Sequence, residues 1–374
     1  MAVKYGVFLF TIGFVIVFTK PGIPSSAIDD YRLAHELYQA GKYSQVVEKL
    51  KMTTRQFPEE FEVNFLLGAA YFKLERWSEA LTPLERAASL DPTSFESHRL
   101  IGVAAMRKPR PDFLKAVQHL TKALQIKQSA QDYASDFELS YYLGYCFFAQ
   151  KDYSRAIPYL LKAHLLKPND EQTLYWLSWS QKYVSGCSEA QKFIEKAVAL
   201  QPARKDVLIL YGYCLLENRS FEKALQIGQQ ITTTFPQIKD GYFITGQANL
   251  LKEKPDLPKS VANFRQTITL APEDAPAYFY AGQCYEALQQ YDQARHHYEK
   301  ATHMKPKKCS WHYKLGHIYE LLAFKTNNFD FEKRALKVYQ QVLSLCPQHE
   351  PTRKRIHFLR KKIQQRKDRN NVKQ

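Results

Sequence analysis

Glycine is scarce in this sequence, with 14 residues in 374. Sandwiches and barrels need many tight turns, and glycine is the residue that adopts turn conformations most easily, so the scarcity argues against an all-β fold. Alanine, leucine, lysine, glutamate and glutamine are frequent instead, and these residues favour helices. The composition therefore predicts an all-α protein.

Recognisable catalytic motifs are also missing. We find no glycine-rich phosphate loop, no nucleophile elbow and no paired acidic residues within a supporting motif. The closest cluster of metal-ligand residue types is Cys309, His312 and His317, with His303 upstream. His312 and His317 lie roughly 140° apart around a helix, so they do not face one ligand position. The sequence therefore predicts no catalytic activity, no cofactor and no metal site.

The chain begins with an apolar segment. Residues 1–4 carry one positive side chain, and residues 5–19 are uncharged. A helix of that length rises about 22 Å, which suits a cleavable signal peptide better than an anchor crossing a ~30 Å hydrocarbon layer. Small residues precede a cleavage point after Ala27, so residues 1–27 are predicted to be a signal peptide, with a tilted, uncleaved membrane anchor as the alternative. We expect an exported protein, periplasmic or secreted, or one tethered to the membrane, unless an anchor inserts with its C-terminal side inward.

Three series of residues recur along the chain, most at a spacing of 34. The first consists of small residues: Ala34, Gly68, Gly102, Gly144, Ser178, Gly212, Gly246, Gly282 and Gly316. The second follows further along each period: Val46, Ala80, Ala116, Ala156, Ala190, Ala224, Ser260, Ala294 and Ala335. The third consists of prolines: Pro58, Pro92, Pro168, Pro202, Pro236, Pro272, Pro306 and Pro347. Because small residues let two helices approach closely and proline stops a helix, each period is predicted to be helix, turn, helix, stop.

This pattern resembles the tetratricopeptide repeat family. One period carries the residues of the resemblance: Leu67, Gly68, Tyr71, Trp77, Ala80, Leu84, Ala87 and Pro92. The resemblance covers nine repeats in residues 28–349 and implies a right-handed α-solenoid of antiparallel helix pairs. It also implies a non-enzymatic scaffold that binds other proteins along a concave surface.

The chain continues past the last repeat. Residues 350–366 are predicted to form a helix that caps the solenoid, and residues 367–374 are predicted to be disordered. Between Arg353 and Lys373 there are ten lysines or arginines and one acid. This basic tail suggests an alternative function, binding of polyanions or of an anionic membrane. Phe358 is its only aromatic residue, so we favour a solvated cap and do not expect a nucleic-acid partner.

The six cysteines fall into two groups. Three lie two residues after the small residue of a first helix and are interpreted as core residues: Cys146, Cys214 and Cys284. Cys187 lies at a turn within a repeat and has no obvious partner. Cys309 opens the first helix of the ninth repeat and Cys346 closes the second, so an antiparallel pair predicts a disulfide bond between them.

The family resemblance also suggests where partners bind. In this family the first helix of each repeat lines the inner surface, at positions three before, one after and four after the small residue. Many of these positions are aromatic: Tyr31, Tyr38, Phe65, Phe72, Tyr141, Tyr145, Phe148, Tyr175, Trp179, Tyr213, Phe243, Phe279 and Tyr313. Aromatic side chains offer large, rigid contact areas, so we predict that they bind a peptide or a partner helix.

The alternative for these aromatic residues is that they pack between neighbouring first helices as a secondary core. By family analogy, an exported protein built from such repeats is expected to belong to an envelope-associated assembly. The sequence does not identify the partner.

Overall fold

The computed structural model describes residues 25–129 and 136–371 of the chain. Every regular element within these residues is an α-helix, which confirms the predicted fold class. The chain divides into two compact units, an N-terminal unit of residues 1–168 and a C-terminal unit of residues 169–374.

The N-terminal unit contains four helix pairs in its described residues. In each pair the two helices pack on each other, and α2, α4 and α6 also pack on the first helix of the next pair. The helices are α1 (Ser25–Gln39), α2 (Tyr43–Gln56), α3 (Phe61–Lys73), α4 (Trp77–Leu90), α5 (Phe95–Arg107), α6 (Phe113–Ser129), α7 (Phe137–Ala149) and α8 (Tyr153–Leu166).

The C-terminal unit contains five further pairs and one additional helix in the part of the chain that the structure describes. Its helices are α9 (Glu171–Ser185), α10 (Cys187–Leu200), α11 (Lys205–Glu217), α12 (Phe221–Thr234), α13 (Lys239–Leu251), α14 (Leu257–Leu270), α15 (Ala275–Ala287), α16 (Tyr291–Met304), α17 (Cys309–Thr326), α18 (Phe329–Leu345) and α19 (Glu350–Asn371). The two units together give the nine predicted pairs. Each unit is thus a stack of helix pairs, and α19 packs on α18 as the predicted cap.

In six repeats the glycine of the first helix is a point of close approach to the second helix: Gly68, Gly102, Gly144, Gly246, Gly282 and Gly316. A Cβ atom added to Gly68 would lie 2.5 Å from Cγ of Leu84, and one added to Gly102 would lie 2.6 Å from Cγ of Leu120. Real Cβ atoms essentially never come so close, so a larger residue would push the two helices apart. In the C-terminal unit the residue opposite the glycine is often an aromatic ring, such as Tyr298 opposite Gly282.

Two boundaries differ from the sequence-based expectation. Helix α1 begins at Ser25, and Ala27 is buried in it, so cleavage after Ala27 would remove its first three residues. Residues 1–24 of the predicted signal segment lie outside the described residues. At the other end, α19 continues to Asn371, past residue 366, where we had expected disorder to begin. Among the helices that the structure describes, none is long and apolar enough to cross a membrane.

Two disulfide bonds lie in the C-terminal unit. Cys309 and Cys346 are bonded, with their Cα atoms 6.2 Å apart, at the base of the pair formed by α17 and α18. Cys187 is bonded to Cys214, with Cα atoms 5.0 Å apart, so the interpretation of Cys187 as partnerless and of Cys214 as a plain core residue was wrong. The reason is the stacking of repeats, because the turn before α10 lies beside α11 of the next repeat. Cys146 and Cys284 are free and buried, and burial raises their thiol pKa values to about 12 and about 11.

Five of the nine turns between paired helices share one geometry, in which a single residue lies in the left-handed region. The φ angles are 75° at Gly41, 57° at Glu75, 61° at Lys151, 60° at Arg219 and 58° at Gln289. The chain then closes the turn with a backbone hydrogen bond, as when the amide after Lys151 donates to the carbonyl of Phe147, 2.9 Å away. Left-handed backbone favours glycine, so four of these five turns hold a side chain against its conformational preference.

We expect Lys151→Gly to raise the free energy of unfolding by about 1 kcal/mol, because glycine adopts this conformation without the Cβ penalty. Lys162 is an exposed residue within α8 and provides a matched control. Lys162→Gly should lower the free energy of unfolding by about 1 kcal/mol. Urea denaturation of the two variants measures both values, and equal destabilisation by both would show that the turn at Lys151 is not strained.

Candidate functional site

The first helices of successive repeats contact one another within each unit. In the N-terminal unit α1 contacts α3, α3 contacts α5 and α5 contacts α7, and in the C-terminal unit α11 contacts α13 and α13 contacts α15. In each unit, we call the first-helix surface the side of that unit's first helices that carries the positions three before, one after and four after the small residue. The thirteen aromatic residues predicted to bind partners all lie at these positions.

Three of the predicted residues are buried in the cores of the units. Tyr31 is 8%, Phe243 8% and Phe279 9% exposed. Phe279 stacks on Trp311, with ring centroids 4.8 Å apart, and Phe243 packs on Phe264 at 5.8 Å. These three residues therefore contribute to core packing, as the alternative interpretation had it, and we remove them from the candidate surface.

The other ten residues are half-buried. They keep one side of the ring on the helices and leave part of it accessible: Tyr38, Phe65, Phe72, Tyr141, Tyr145, Phe148, Tyr175, Trp179, Tyr213 and Tyr313. A half-buried ring is held in place and still offers contact area, which is the arrangement that binding hot spots require.

Three of these rings also pack across the turn of their own repeat. Each one lies four residues after the small residue and contacts the aromatic residue that opens the second helix. The pairs are Tyr38 with Tyr43 at 5.1 Å, Phe72 with Trp77 at 4.9 Å and Phe148 with Tyr153 at 5.8 Å between ring centroids. These rings are fixed by the turn, so they form a rigid edge of the surface.

Tyr145 lies at the position one after Gly144 on α7. Its ring contacts Phe113 of α6, 6.0 Å away between centroids, and burial raises the pKa of its hydroxyl group. Tyr141, one turn earlier on α7, contacts Phe137 at 5.3 Å. With its pKa raised, Tyr145 is a neutral hydrogen-bonding group at physiological pH.

Helix α9 carries the most extended group of rings. Tyr175, Trp179 and Tyr183 follow one another along the helix, with centroids 6.4 and 5.7 Å apart, and Tyr183 is 58% exposed. The guanidinium group of Arg204 lies 4.6 Å from the Tyr175 ring centroid and pairs with Asp206 at 2.9 Å. This arrangement combines flat apolar faces with a fixed cation.

Further along the C-terminal unit, contacts with neighbouring side chains hold Tyr213 and Tyr313 in place. The Tyr213 hydroxyl donates to Asp240 Oδ1 at 2.7 Å, and burial followed by the charge of Asp240 raises the Tyr213 pKa. Tyr313 packs against His349, with ring centroids 5.0 Å apart.

Two glutamates that were not predicted from the sequence lie on the same surface. Glu286 and Glu320 lie four residues after the small residues of α15 and α17. The Tyr298 hydroxyl donates to Glu286 Oε2, and the Tyr339 hydroxyl donates to Glu320 Oε2, both at 2.6 Å. These tyrosines belong to the second helices and face the glycines of the first helices. A large ring opposite a glycine is therefore the sequence feature that could have predicted the contact.

The Glu286 carboxylate is surrounded by donors. Burial would raise its pKa, but hydrogen bonds from His317 and Tyr298 and the charge of Lys314 keep the Glu286 pKa below its usual value. Lys314 Nζ lies 3.2 Å and His317 Nδ1 3.3 Å from Glu286 Oε1. The carboxylate is therefore ionised and already neutralised by neighbouring groups.

The cluster of metal-ligand residue types is dispersed in the structure. Cys309 is in a disulfide bond, His312 Nε2 lies 3.0 Å from the carbonyl of Pro306, and His317 faces Glu286. Within residues 25–129 and 136–371, no group of three or more histidine, cysteine or acidic side chains is placed to hold a metal ion.

Another histidine pair joins the two helices of the third repeat. His98 Nδ1 and His119 Nδ1 are 3.0 Å apart, and His98 Nε2 lies 3.3 Å from the carbonyl of Pro92. The equivalent contact in the preceding repeat is made by Asn64, whose Nδ2 donates to the carbonyl of Pro58 at 3.0 Å. Burial lowers the pKa of both histidines, so the folded state favours their neutral forms.

The free energy of unfolding should therefore fall as the pH decreases below 6.5, the ordinary histidine value, because the unfolded chain then binds more protons than the folded one. His98→Asn should keep the hydrogen bond that Asn64 makes in its own repeat and remove one of the two titrating groups. Urea unfolding at about pH 8 and about pH 5 should show a smaller loss of stability for this variant than for the unmodified chain. An unchanged pH dependence would contradict the assignment.

The sequence models of the tetratricopeptide repeat match residues 31–95, 112–171, 178–237 and 275–308. These segments add up to more than half of the chain. The chain belongs to the tetratricopeptide repeat family. The repeat seen in the sequence and the helix pairs seen in the structure are thus those of this family.

Two curated relatives share part of this tetratricopeptide repeat chain. The BBSome complex member BBS4 of Bos taurus is 27% identical over 195 residues, which are 50% of this chain and 36% of the relative. Its homologue in Drosophila melanogaster is 27% identical over 200 residues, which are 53% of this chain and 39% of the relative. The matched regions thus span little more than a third of either relative.

Solved tetratricopeptide repeat structures are similar to parts of this chain. The C-terminal part of a repeat protein from Cytophaga hutchinsonii is 15% identical, covering 66% of this chain and 97% of that one, with a TM-score of 0.48. A repeat protein from Thermus thermophilus is 18% identical and covers 50% of this chain and 98% of that one, with a TM-score of 0.40. Similarities of this size carry no functional argument.

Proposed function

We propose that this chain is a non-enzymatic scaffold whose first-helix surface binds a peptide or a partner helix of another protein. The ten half-buried aromatic residues carry the proposal, because they lie at corresponding positions in six of the nine repeats. An idle, solvated surface would be expected to carry polar side chains at these positions. Large rigid rings at regular spacing favour contact with an extended or helical ligand.

The partner-binding role is also consistent with the family and its relatives. The two curated relatives are named as members of a protein complex. Stacked helix pairs provide a long surface on which a partner can lie, so binding is the activity that the architecture supports.

We further propose that the chain works outside the cytoplasm, as part of an exported or envelope-associated assembly. The apolar segment at residues 5–19 supports this, and so do the two disulfide bonds, because disulfides persist in oxidising compartments. In this proposal the N-terminal segment is either a cleaved signal or a tether to the membrane.

Replacing Tyr145, Tyr175 and Trp179 together by alanine should weaken partner capture at least about tenfold, since each ring is a candidate hot spot. Capture would be measured by affinity purification of the tagged chain from its native extract, followed by titration of the purified partner. Circular dichroism and thermal melting should change little, because these rings are only half-buried.

Tyr159→Ala is the matched control. Tyr159 is a half-buried tyrosine on the second helix α8, stacked on Phe147 at 5.6 Å, and it lies off the first-helix surface. The control should capture the partner normally. If the triple variant loses its cooperative melting together with binding, the rings are core residues and the proposed binding surface is wrong.

Counting the reactive thiols tests the proposal that the chain works in an oxidising compartment. In the chain isolated from its native source and denatured without reductant, two cysteines should react with an alkylating agent, Cys146 and Cys284, and all six should react after reduction. The same intact mass reports whether residues 1–27 have been removed. Reaction of all six cysteines without reductant would mean that the native compartment is reducing and would exclude export.

A further inference from the structure

Helix α19 occupies the place of a first helix in an incomplete tenth repeat. Pro347 precedes it as Pro306 precedes α17, and His357 falls where α17 has Gly316. Its buried face, with Ile356 at 6% and Leu359 at 2% exposure, joins the core formed by α17 and α18. The first-helix surface therefore continues onto α19.

The residues at the three surface positions of α19 differ from those of the preceding repeats. Lys354 lies three before, Phe358 one after and Lys361 four after His357. All three are exposed, and Phe358 is 55% exposed. An exposed aromatic ring is thus flanked by a lysine one turn away on each side.

The acids near α19 are already paired. Glu320 accepts from Tyr339 and lies 3.8 Å from Arg355. Glu332, 1% exposed at its side chain, lies 2.8 Å from Lys362 and 3.6 Å from Arg366. In these contacts Arg355, Lys362 and Arg366 neutralise buried or half-buried carboxylates of α17 and α18.

The exposed lysines at the surface positions of α19 have no such partners. Lys354 and Lys361 form no ion pair with any residue whose side chain the structure describes. Together with Phe358 they make a positively charged patch with one apolar centre, which we call the α19 patch. Its charge is left over after Glu320 and Glu332 have been matched by other cations of α19.

We propose that the α19 patch binds an acidic segment of the partner protein, with carboxylates on Lys354 and Lys361 and an apolar side chain on Phe358. This inference rests on the proposed scaffold function and gives the chemistry of the partner at the C-terminal end of the surface. Complementary charge would also speed the encounter and fix the register of the bound segment.

The same features argue against other anionic ligands. Binding to single-stranded nucleic acid needs several rings on which bases stack, and α19 offers Phe358 alone in its described side chains. Insertion into a membrane interface needs a continuous apolar face, and the apolar face of α19 is buried against α17 and α18.

The test uses the purified chain and a fluorescent peptide in which glutamates flank two leucines, with a second peptide that has glutamine in place of every glutamate. Fluorescence anisotropy should show binding of the glutamate peptide that weakens with salt, and no binding of the glutamine peptide. The double variant K354E/K361E should weaken binding at least about tenfold, and F358A about fivefold.

Matched controls separate the patch from net charge. K300E/K337E makes the same change in net charge at exposed lysines of the second helices α16 and α18, and it should bind normally. The Tyr145, Tyr175 and Trp179 triple variant should also bind the acidic peptide normally, so a failure of the aromatic surface and a failure of the α19 patch give different results.

Three results would overturn the inference. Equal binding of the glutamine peptide, or an equal loss of binding in K300E/K337E, would remove the charge complementarity of the patch. Absence of peptide binding, accompanied by binding to phosphatidylserine vesicles or to an oligonucleotide that K354E/K361E abolishes, would assign the patch to that ligand instead.

Discussion

The close approach of paired helices at one small residue per repeat is the contact on which the structure depends. At Gly68 and Gly102 the facing leucine fills the space that a Cβ atom would need. Interiors are packed too tightly to absorb an extra methyl group there without moving a helix. Because each pair supports only its neighbours, a shift at one such point would be transmitted to the next repeat and to the surface positions beside the glycine.

The same small residues made most of the fold predictable. A spacing of 34 in three series gave the pairs, their order and the end of each second helix, since these features depend on local contacts. The Cys187–Cys214 bond was not predictable in this way, because it joins adjacent repeats and depends on how one pair rotates against the next. The hydrogen bonds from Tyr298 and Tyr339 to glutamates lie within single repeats, and the large ring opposite each glycine was the sequence feature that could have predicted them.

In the candidate site, the position of a ring relative to the small residue only partly predicts whether the ring is accessible. Ten of the thirteen aromatic residues keep an accessible side, whereas Tyr31, Phe243 and Phe279 are covered. The covered rings occupy the same offset as accessible ones, so the offset alone does not decide exposure. Contacts with particular neighbours also matter, as for Phe279, which stacks on Trp311.

The uneven placement of the disulfide bonds bears on the order in which the stack comes apart. Both bonds lie in the C-terminal unit, one joining neighbouring repeats and one joining the ends of the last pair. A stack of repeats unravels most easily from an end whose units have only one neighbour. With its last pair cross-linked and covered by α19, the C-terminal unit is protected from fraying at its last repeat.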